Sequence, residues 1–184
     1  MANRGRTTII LLLVFGGLLA VSLLINVSRR NQAVFSVTAT PDIELFPQVQ
    51  PEAITRMTIS DSLSGQQVTW TRGSGGWQAV DATGRSVAVN LTNVARMIQI
   101  LATLRYNRLL EESNVAQFGL TGNGRAVIEF DAGAKTPYRL RIGDPSPYGD
   151  LTYVQRDTDP SIYLVSGPVL NLVLGALPGA SPTP

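Results

Sequence analysis

Four aspartates lie in two neighbouring loops of the C-terminal half, and clustered loop carboxylates can bind Ca²⁺. Asp144 and Asp150 belong to the stretch 143–150, and Asp157 and Asp159 follow in the next turn. Calcium takes about six to eight oxygen ligands, and the spacing of these aspartates fits no EF-hand loop. Aspartate is also common in ordinary turns beside glycine and proline. The sequence therefore predicts turn residues here and no metal site.

Charged residues two apart on successive segments indicate paired strands rather than catalysis. Glu129 and Asp131 would lie on one face of a β-strand, and Arg139 and Arg141 on one face of the strand that follows. Opposite charges on neighbouring antiparallel strands attract each other. Cross-strand ion pairs therefore explain all four side chains without an acid–base role.

Two glycine-rich runs are candidates for binding phosphate. Gly73, Gly75 and Gly76 form the first run, and Gly122 and Gly124 belong to the second. A phosphate-binding loop leads directly into a helix, whose first amide groups contact the anion. Neither run is followed by a helical pattern, so we expect both to be hairpin turns.

The composition excludes most other chemistry. The 184 residues include no histidine and no cysteine. The sequence therefore has no histidine general base and no Ser-His-Asp triad. It also lacks the usual ligands of zinc, iron–sulfur clusters and histidine-bound haem. We expect no cofactor, no small-molecule ligand and no enzymatic activity.

The excess of positive charge belongs to one segment. The chain has 15 basic and 13 acidic residues. The basic residues that flank an apolar run near the N terminus are Arg4, Arg6, Arg29 and Arg30. Without those four, 11 basic residues face the 13 acidic ones, and no basic cluster suited to a phosphate backbone is present. The charge pattern favours contact with membrane lipid and argues against nucleic acid.

The apolar run predicts one transmembrane helix over residues 9–28. A spanning helix needs about 20 predominantly apolar residues, and this stretch contains no charged side chain. The predicted anchor residues are Ile9, Leu12, Phe15, Gly16, Gly17, Leu19, Leu23 and Ile25. The two adjacent glycines would allow another helix to approach closely.

A cleaved signal peptide is the alternative interpretation of this segment. The small-residue site at positions 37–39 lies well beyond the apolar run, and Arg29 and Arg30 follow the run directly. We therefore expect an uncleaved single-pass anchor in the bacterial cytoplasmic membrane. Residues 1–8 would be cytoplasmic and the C-terminal domain extracytoplasmic, with arginine pairs on both sides leaving the charge bias nearly balanced.

Beyond the anchor, the chain divides into three parts. We expect a proline-containing linker over residues 29–53, a folded domain over 54–177 and a proline-rich tail over 178–184. Alternating apolar and polar residues indicate half-buried strands in two sets. The predicted strands are 54–60, 67–72 and 77–80, and then 126–130, 138–142, 151–155 and 162–165.

One amphipathic helix is predicted between the two strand sets, over residues 91–104. Asn90 is a favourable N-cap, and Leu91, Val94 and Ile98 recur at helical spacing. The sequence thus predicts an α+β domain whose antiparallel strands, in one sheet or two, pack against one main α-helix. A helical pattern follows each strand set, so an internal duplication is an open alternative.

Short motifs in a fixed order resemble a bacterial family. The motif residues are Trp77, Phe118, Gly119, Leu120, Ile142, Gly143, Gly149, Tyr153 and Tyr163. Their order resembles a family of membrane-anchored domains of unknown function, related to domains of the auxiliary proteins of gliding-motility-type ABC transporters. Phe118 stands where that family usually has tyrosine. The resemblance implies an extracytoplasmic domain and structural roles for these residues, and it implies no catalytic residue.

Together these features predict a non-enzymatic accessory subunit of a larger bacterial membrane complex. Its partners would be membrane lipid and other integral and peripheral subunits. We expect an energy-transducing electron-transport complex as the host, although this chain has no ligands for an electron-carrying centre. The alternative, implied by the resemblance, is an extracytoplasmic binding module of an ABC-type transport system.

Overall fold

The computed structural model describes residues 39–111, 114–147 and 149–177, with side chains from residue 43 onward. These residues form one sheet of ten strands, and every neighbouring pair is antiparallel, as predicted. The strands are β1 (Ala39–Glu44), β2 (Arg56–Asp61), β3 (Gln67–Gly73), β4 (Gly76–Asp81), β5 (Ser86–Val87), β6 (Arg105–Leu110), β7 (Ala126–Asp131), β8 (Tyr138–Pro145), β9 (Leu151–Arg156) and β10 (Ile162–Ser166). Across the sheet the order is β1-β6-β10-β9-β8-β7-β2-β3-β4-β5.

The elements follow each other in a repeated order. Helix α1 spans Leu91–Ala102 and α2 spans Gly167–Leu174, and two short 3-10 helices span Pro51–Ala53 and Val115–Phe118. Each half of the chain therefore runs strand, 3-10 helix, four strands and α-helix, which is the order that an internal duplication would leave. The first strands differ in their pairing. β6 pairs with β10 of its own half, whereas β1 pairs with β6 of the other half.

Both α-helices and a crossing segment, residues 45–55, contribute to the main core. In the crossing segment Leu45 and Phe46 are buried, and the Phe46 ring meets those of Phe130 and Tyr138 edge-on, with centroids 5.2 and 5.7 Å apart. The folded domain thus begins before residue 54, the predicted boundary. Prolines interrupt this segment, and its apolar residues have neither strand nor helix periodicity. Its burial was therefore not predicted from the sequence.

Helix α1 begins as predicted and buries most of the predicted face, including Val94, Ile98 and Leu101. The side chain of Asn90 accepts a hydrogen bond from the backbone N–H of Asn93 at 3.2 Å. Met97 is buried at 2% exposure, whereas Leu91, predicted to face the core, is 62% exposed. The helix ends at Ala102, two residues before the predicted end, because the chain turns there into β6.

Replacing the N-cap should weaken α1 measurably. We expect Asn90→Ala to reduce the unfolding free energy by about 1 kcal/mol, since one amide at the helix start loses its acceptor. For a chain of this size the melting temperature should fall by about 2 to 4 °C. Asn93→Ala is the matched control, because it keeps the amide and introduces a better helix former. Equal losses in the two variants would contradict the capping role.

Strand β6 was not predicted, and its burial explains why. Arg105, Asn107 and Arg108 are exposed, and only Leu110 is buried, so the strand does not alternate. Pairing with β1 and β10 assigns it to the sheet, with register irregularities on both sides. Tertiary pairing rather than local pattern therefore determines this element.

A second, smaller core lies on the opposite side of β10 from the main one. Side chains of β10 alternate between the two clusters: Ile162 and Leu164 belong to the smaller, and Tyr163 and Val165 to the main core. The buried members of the smaller cluster are Leu110, Phe118, Leu120, Ile162 and Leu164.

Within the residues described above, no helix is long and apolar enough to cross a membrane. The predicted anchor at 9–28, its flanking arginines and the tail at 178–184 all lie outside those residues. The predictions made for these segments stay predictions.

Candidate functional site

Two of the predicted motifs meet at one junction. The 3-10 helix Val115–Phe118 ends at Gly119, whose positive φ of 66° suits glycine. A Cβ atom on Gly119 would lie 2.6 Å from Cγ of Asp144. A Cβ atom on Gly143 would lie only 2.1 Å from the carbonyl oxygen of Phe118. The obstacle at Gly143 is a backbone atom, which no side-chain rotation can remove, whereas at Gly119 it is a side chain and the positive φ is what favours glycine.

The glycine run at 122–124 extends this junction and corrects one prediction. It does not connect two strands of a hairpin but lies between the 3-10 helix and β7. Gly124 has a φ of 63°, and its Cβ position lies 2.4 Å from the carbonyl oxygen of Ile142. That oxygen accepts a hydrogen bond from the backbone of Arg125 at 2.8 Å. The run at 73–76, by contrast, is the predicted hairpin turn between β3 and β4.

The predicted cross-strand ion pairs are present in part. Arg139 contacts Glu129 at 3.1 Å on the neighbouring strand, as predicted. Arg139 and Arg141 also both contact Asp157, at 3.2 and 3.0 Å. Arg141 lies opposite Val127 on β7, so it pairs with Asp157 and not with a carboxylate of β7. Asp157, considered above as a metal ligand, is instead held by two guanidinium groups.

An open cleft of about 720 Å³ lies between α2, the β2–β3 turn and the loop from β8 to β9. The motif residues Ile142, Gly143 and Gly149 contribute to its lining. Its walls also include the buried side chain of Leu170 and the side chain of Leu63, which is 72% exposed. Charged residues in the lining are Asp61, Arg125 and Asp150. The cleft therefore combines an apolar interior with a few charged groups.

A polar cluster fastens the crossing segment to β9 and β10. The guanidinium of Arg156 donates to the carbonyl oxygen of Leu45 at 2.8 Å, to Asp159 at 2.5 Å and to the Tyr163 hydroxyl at 2.7 Å. The Tyr163 hydroxyl in turn donates to the same Asp159 carboxylate. The three side chains thus bind one another, and the cluster joins segments 111 residues apart.

Each member of the cluster has a shifted pKa, and each shift favours the protonation state in which the three side chains bind one another. Burial and the hydrogen bond to Asp159 raise the pKa of Tyr163 to about 12. Burial alone would raise the pKa of Asp159, but hydrogen bonds from Tyr163, Ser161 and Arg156 hold it well below its usual range. Burial likewise opposes the charge of Arg156, yet the bond to Asp159 raises its pKa. Neutral tyrosine beside an ion pair is therefore the stable arrangement.

The other motif residues lie elsewhere in the fold. Trp77 is half-buried against the main core, opposite Arg72 on the neighbouring strand. Tyr153 contacts the Phe118 ring with centroids 4.6 Å apart, beside the smaller core. Gly149 takes a φ of 75° in the loop before β9. Of the motif tyrosines, Tyr163 alone belongs to the polar cluster.

The carboxylates considered for calcium are dispersed. Asp157 and Asp159 are engaged with arginines, whereas Asp144 faces Gly119 and Asp150 lines the cleft. Across the described part of the chain, no three His, Cys, Asp or Glu side chains are grouped to hold a metal ion. Sequence reasoning had treated Asp159 as a turn residue and missed Arg156 altogether.

The fold and these contacts define a mostly antiparallel β-sheet domain with two α-helices, in which motif glycines build a junction and part of a cleft. The chain belongs to the family described as a domain of unknown function (DUF4340), whose model matches residues 77–174. The resemblance to a family of unknown function is thereby confirmed, while the motif order and the link to gliding-motility-type transporters stay predictions. No curated protein and no solved structure matches the chain.

Proposed function

We propose that the chain is a non-enzymatic accessory subunit of a larger bacterial membrane complex. Residues 9–28 would anchor it in the cytoplasmic membrane, and the sheet domain would pack on neighbouring subunits outside the cytoplasm. An energy-transducing electron-transport complex is the host that we propose, with this chain acting as a support rather than as an electron carrier.

The cleft beside α2 is the observation that carries this proposal. Its interior includes Ile142 and Leu170, both nearly fully buried, while Leu63 at its edge is 72% exposed. Covering a leucine side chain of this kind is worth about 1.5 to 3 kcal/mol. An apolar segment of a neighbouring subunit, placed across the cleft, would gain that energy.

The state of the charged groups supports a structural role. Arg156 binds Asp159 and the crossing segment, and Arg139 and Arg141 share Asp157. A catalytic acid or base must have a polar atom within hydrogen-bond reach of the substrate. These side chains instead direct their polar atoms at one another, as groups that hold segments together do.

A pair of matched variants tests the proposal. In native membranes extracted with mild detergent, we expect the chain to co-migrate with a defined set of membrane proteins identified by mass spectrometry. Leu63→Asp should abolish this co-migration, because it places a charge at the apolar edge of the cleft. Leu91→Asp should preserve it, since Leu91 is similarly exposed, at 62%, but does not line the cleft. Migration of the unmodified chain as a single species would refute the proposal.

A binding module of an ABC-type transport system is the second candidate. The cleft volume of about 720 Å³ falls in the range of small-ligand sites, and family-motif residues line it. The resemblance to domains of transporter auxiliary proteins points the same way. Native mass spectrometry of the extracted chain distinguishes the two. Retention of a small molecule that Leu63→Asp loses, without co-migrating subunits, would favour the transport module.

A further inference from the structure

Strand β1 makes a contact that its place in the repeat does not predict. The two halves of the chain have the same order of elements, and β6 lies beside β10, the last strand of its own half. The corresponding position for β1 would be beside β5, but β1 lies instead on the outer edge of β6. The first strand of the N-terminal half therefore pairs with the C-terminal half.

The two side chains of β1 that the structure describes, those of Ile43 and Glu44, are only partly buried. Its pairing with β6 has three matched positions, with a register irregularity between Ala39 and Ile43. Of its described side chains, Ile43 is 41% exposed and Glu44 is half-buried. Edge strands with few buried contacts belong to the parts of a protein that open most readily.

The release of β1 has a definite end point. Leu45 is 1% exposed, its N–H donates to the carbonyl oxygen of Leu104 at 2.6 Å, and its own carbonyl oxygen accepts from Arg156 at 2.8 Å. The crossing segment is therefore held by contacts of its own, apart from the pairing between β1 and β6. A hinge for β1 would lie at the peptide between Glu44 and Leu45, where the fixed contacts begin.

We propose that β1 is an exchangeable strand, which pairs with β6 of a second copy of this chain as it pairs with β6 of its own. The contact is complementary in charge, because Glu44 of β1 contacts Arg105 of β6 at 3.8 Å. A second copy offers the same partner in the same register. Exchange of identical elements about a short hinge is a common route to dimers. The inference goes beyond the accessory role proposed above and does not depend on the host complex.

Cysteine pairing in the full-length chain tests the exchange, and the chain contains no cysteine of its own. Glu44 and Arg105 lie opposite each other, and both side chains are partly exposed. Two differently tagged variants, Glu44→Cys and Arg105→Cys, are co-expressed in membranes and oxidised. We expect a covalent heterodimer on a non-reducing gel, because exchange holds the two cysteines of different chains opposite each other.

Thr58→Cys with Thr69→Cys is the matched control pair. These residues also lie opposite each other, but within the hairpin of β2 and β3, which cannot exchange at this hinge. A heterodimer yield no higher than in this control overturns the proposal. The double variant Glu44→Cys/Arg105→Cys checks the register. Failure to close a disulfide within or between its chains would refute the pairing itself and hence the exchange.

Discussion

Gly143→Ala is expected to lower the unfolding free energy by about 3 kcal/mol or more. The new methyl carbon would lie 2.1 Å from the carbonyl oxygen of Phe118 and 2.9 Å from Cγ of Leu120. The first obstacle is a backbone atom, which no side-chain rotation can move away. The 3-10 helix would have to lift from β8, and this movement would withdraw Phe118 and Leu120 from the smaller core.

Thermal unfolding followed by tryptophan fluorescence measures this loss, and we expect the midpoint to fall by about 6 to 12 °C. Gly75→Ala is the matched control. Gly75 has no atom within 4 Å of its Cβ position and no positive φ. Alanine there should leave the midpoint unchanged or raise it slightly, because it restricts the unfolded chain. Similar midpoints for the two variants would show that the junction is not tightly packed.

Elements with a clear local pattern were predictable from the sequence. Strands β2, β3 and β7 to β10 alternate in burial or lie between turn residues, and each was predicted to within a few residues. Strands β1 and β6 lack such a pattern and exist because they pair with each other and with β10. Pairing between distant segments leaves no periodic trace, so these two strands were missed.

The candidate site was likewise predictable only in part. The motif glycines were identified through a resemblance. Their contacts in the junction could not be predicted, because Gly143 and Phe118 lie far apart in the sequence. Arg156 and Asp159 lie three residues apart across the β9–β10 turn, a spacing that many unrelated surface pairs share. Nothing in the sequence connects them with Leu45. Contacts from side chain to distant backbone are therefore the part that sequence reasoning could not supply.

Arg156→Met is the variant with the second large expected effect. Methionine fills similar space but donates no hydrogen bond, so Asp159, the Tyr163 hydroxyl and the carbonyl of Leu45 would each lose a partner. We expect a loss of about 2 to 3 kcal/mol in unfolding free energy, measured by urea denaturation. Arg85→Met is the control. Arg85 also forms an ion pair, with Asp81 at 3.0 Å, but its side chain is 79% exposed, and we expect little change.

The pH dependence of the unfolding free energy tests whether the hydrogen bond between Tyr163 and Asp159 stabilises the fold. The pKa of Tyr163 is about 12 in the fold against 10.0 ordinarily, so the unfolded chain releases this proton first as the pH rises. The stabilisation is therefore complete below pH 10 and is lost between pH 10 and about 12. Tyr163→Phe has no hydroxyl to titrate and should lose less stability over that interval. If the variant and the unmodified chain decline equally there, the tyrosine hydroxyl is not held by Asp159, and the loss in Arg156→Met must come from the other contacts of Arg156, with Asp159 and Leu45.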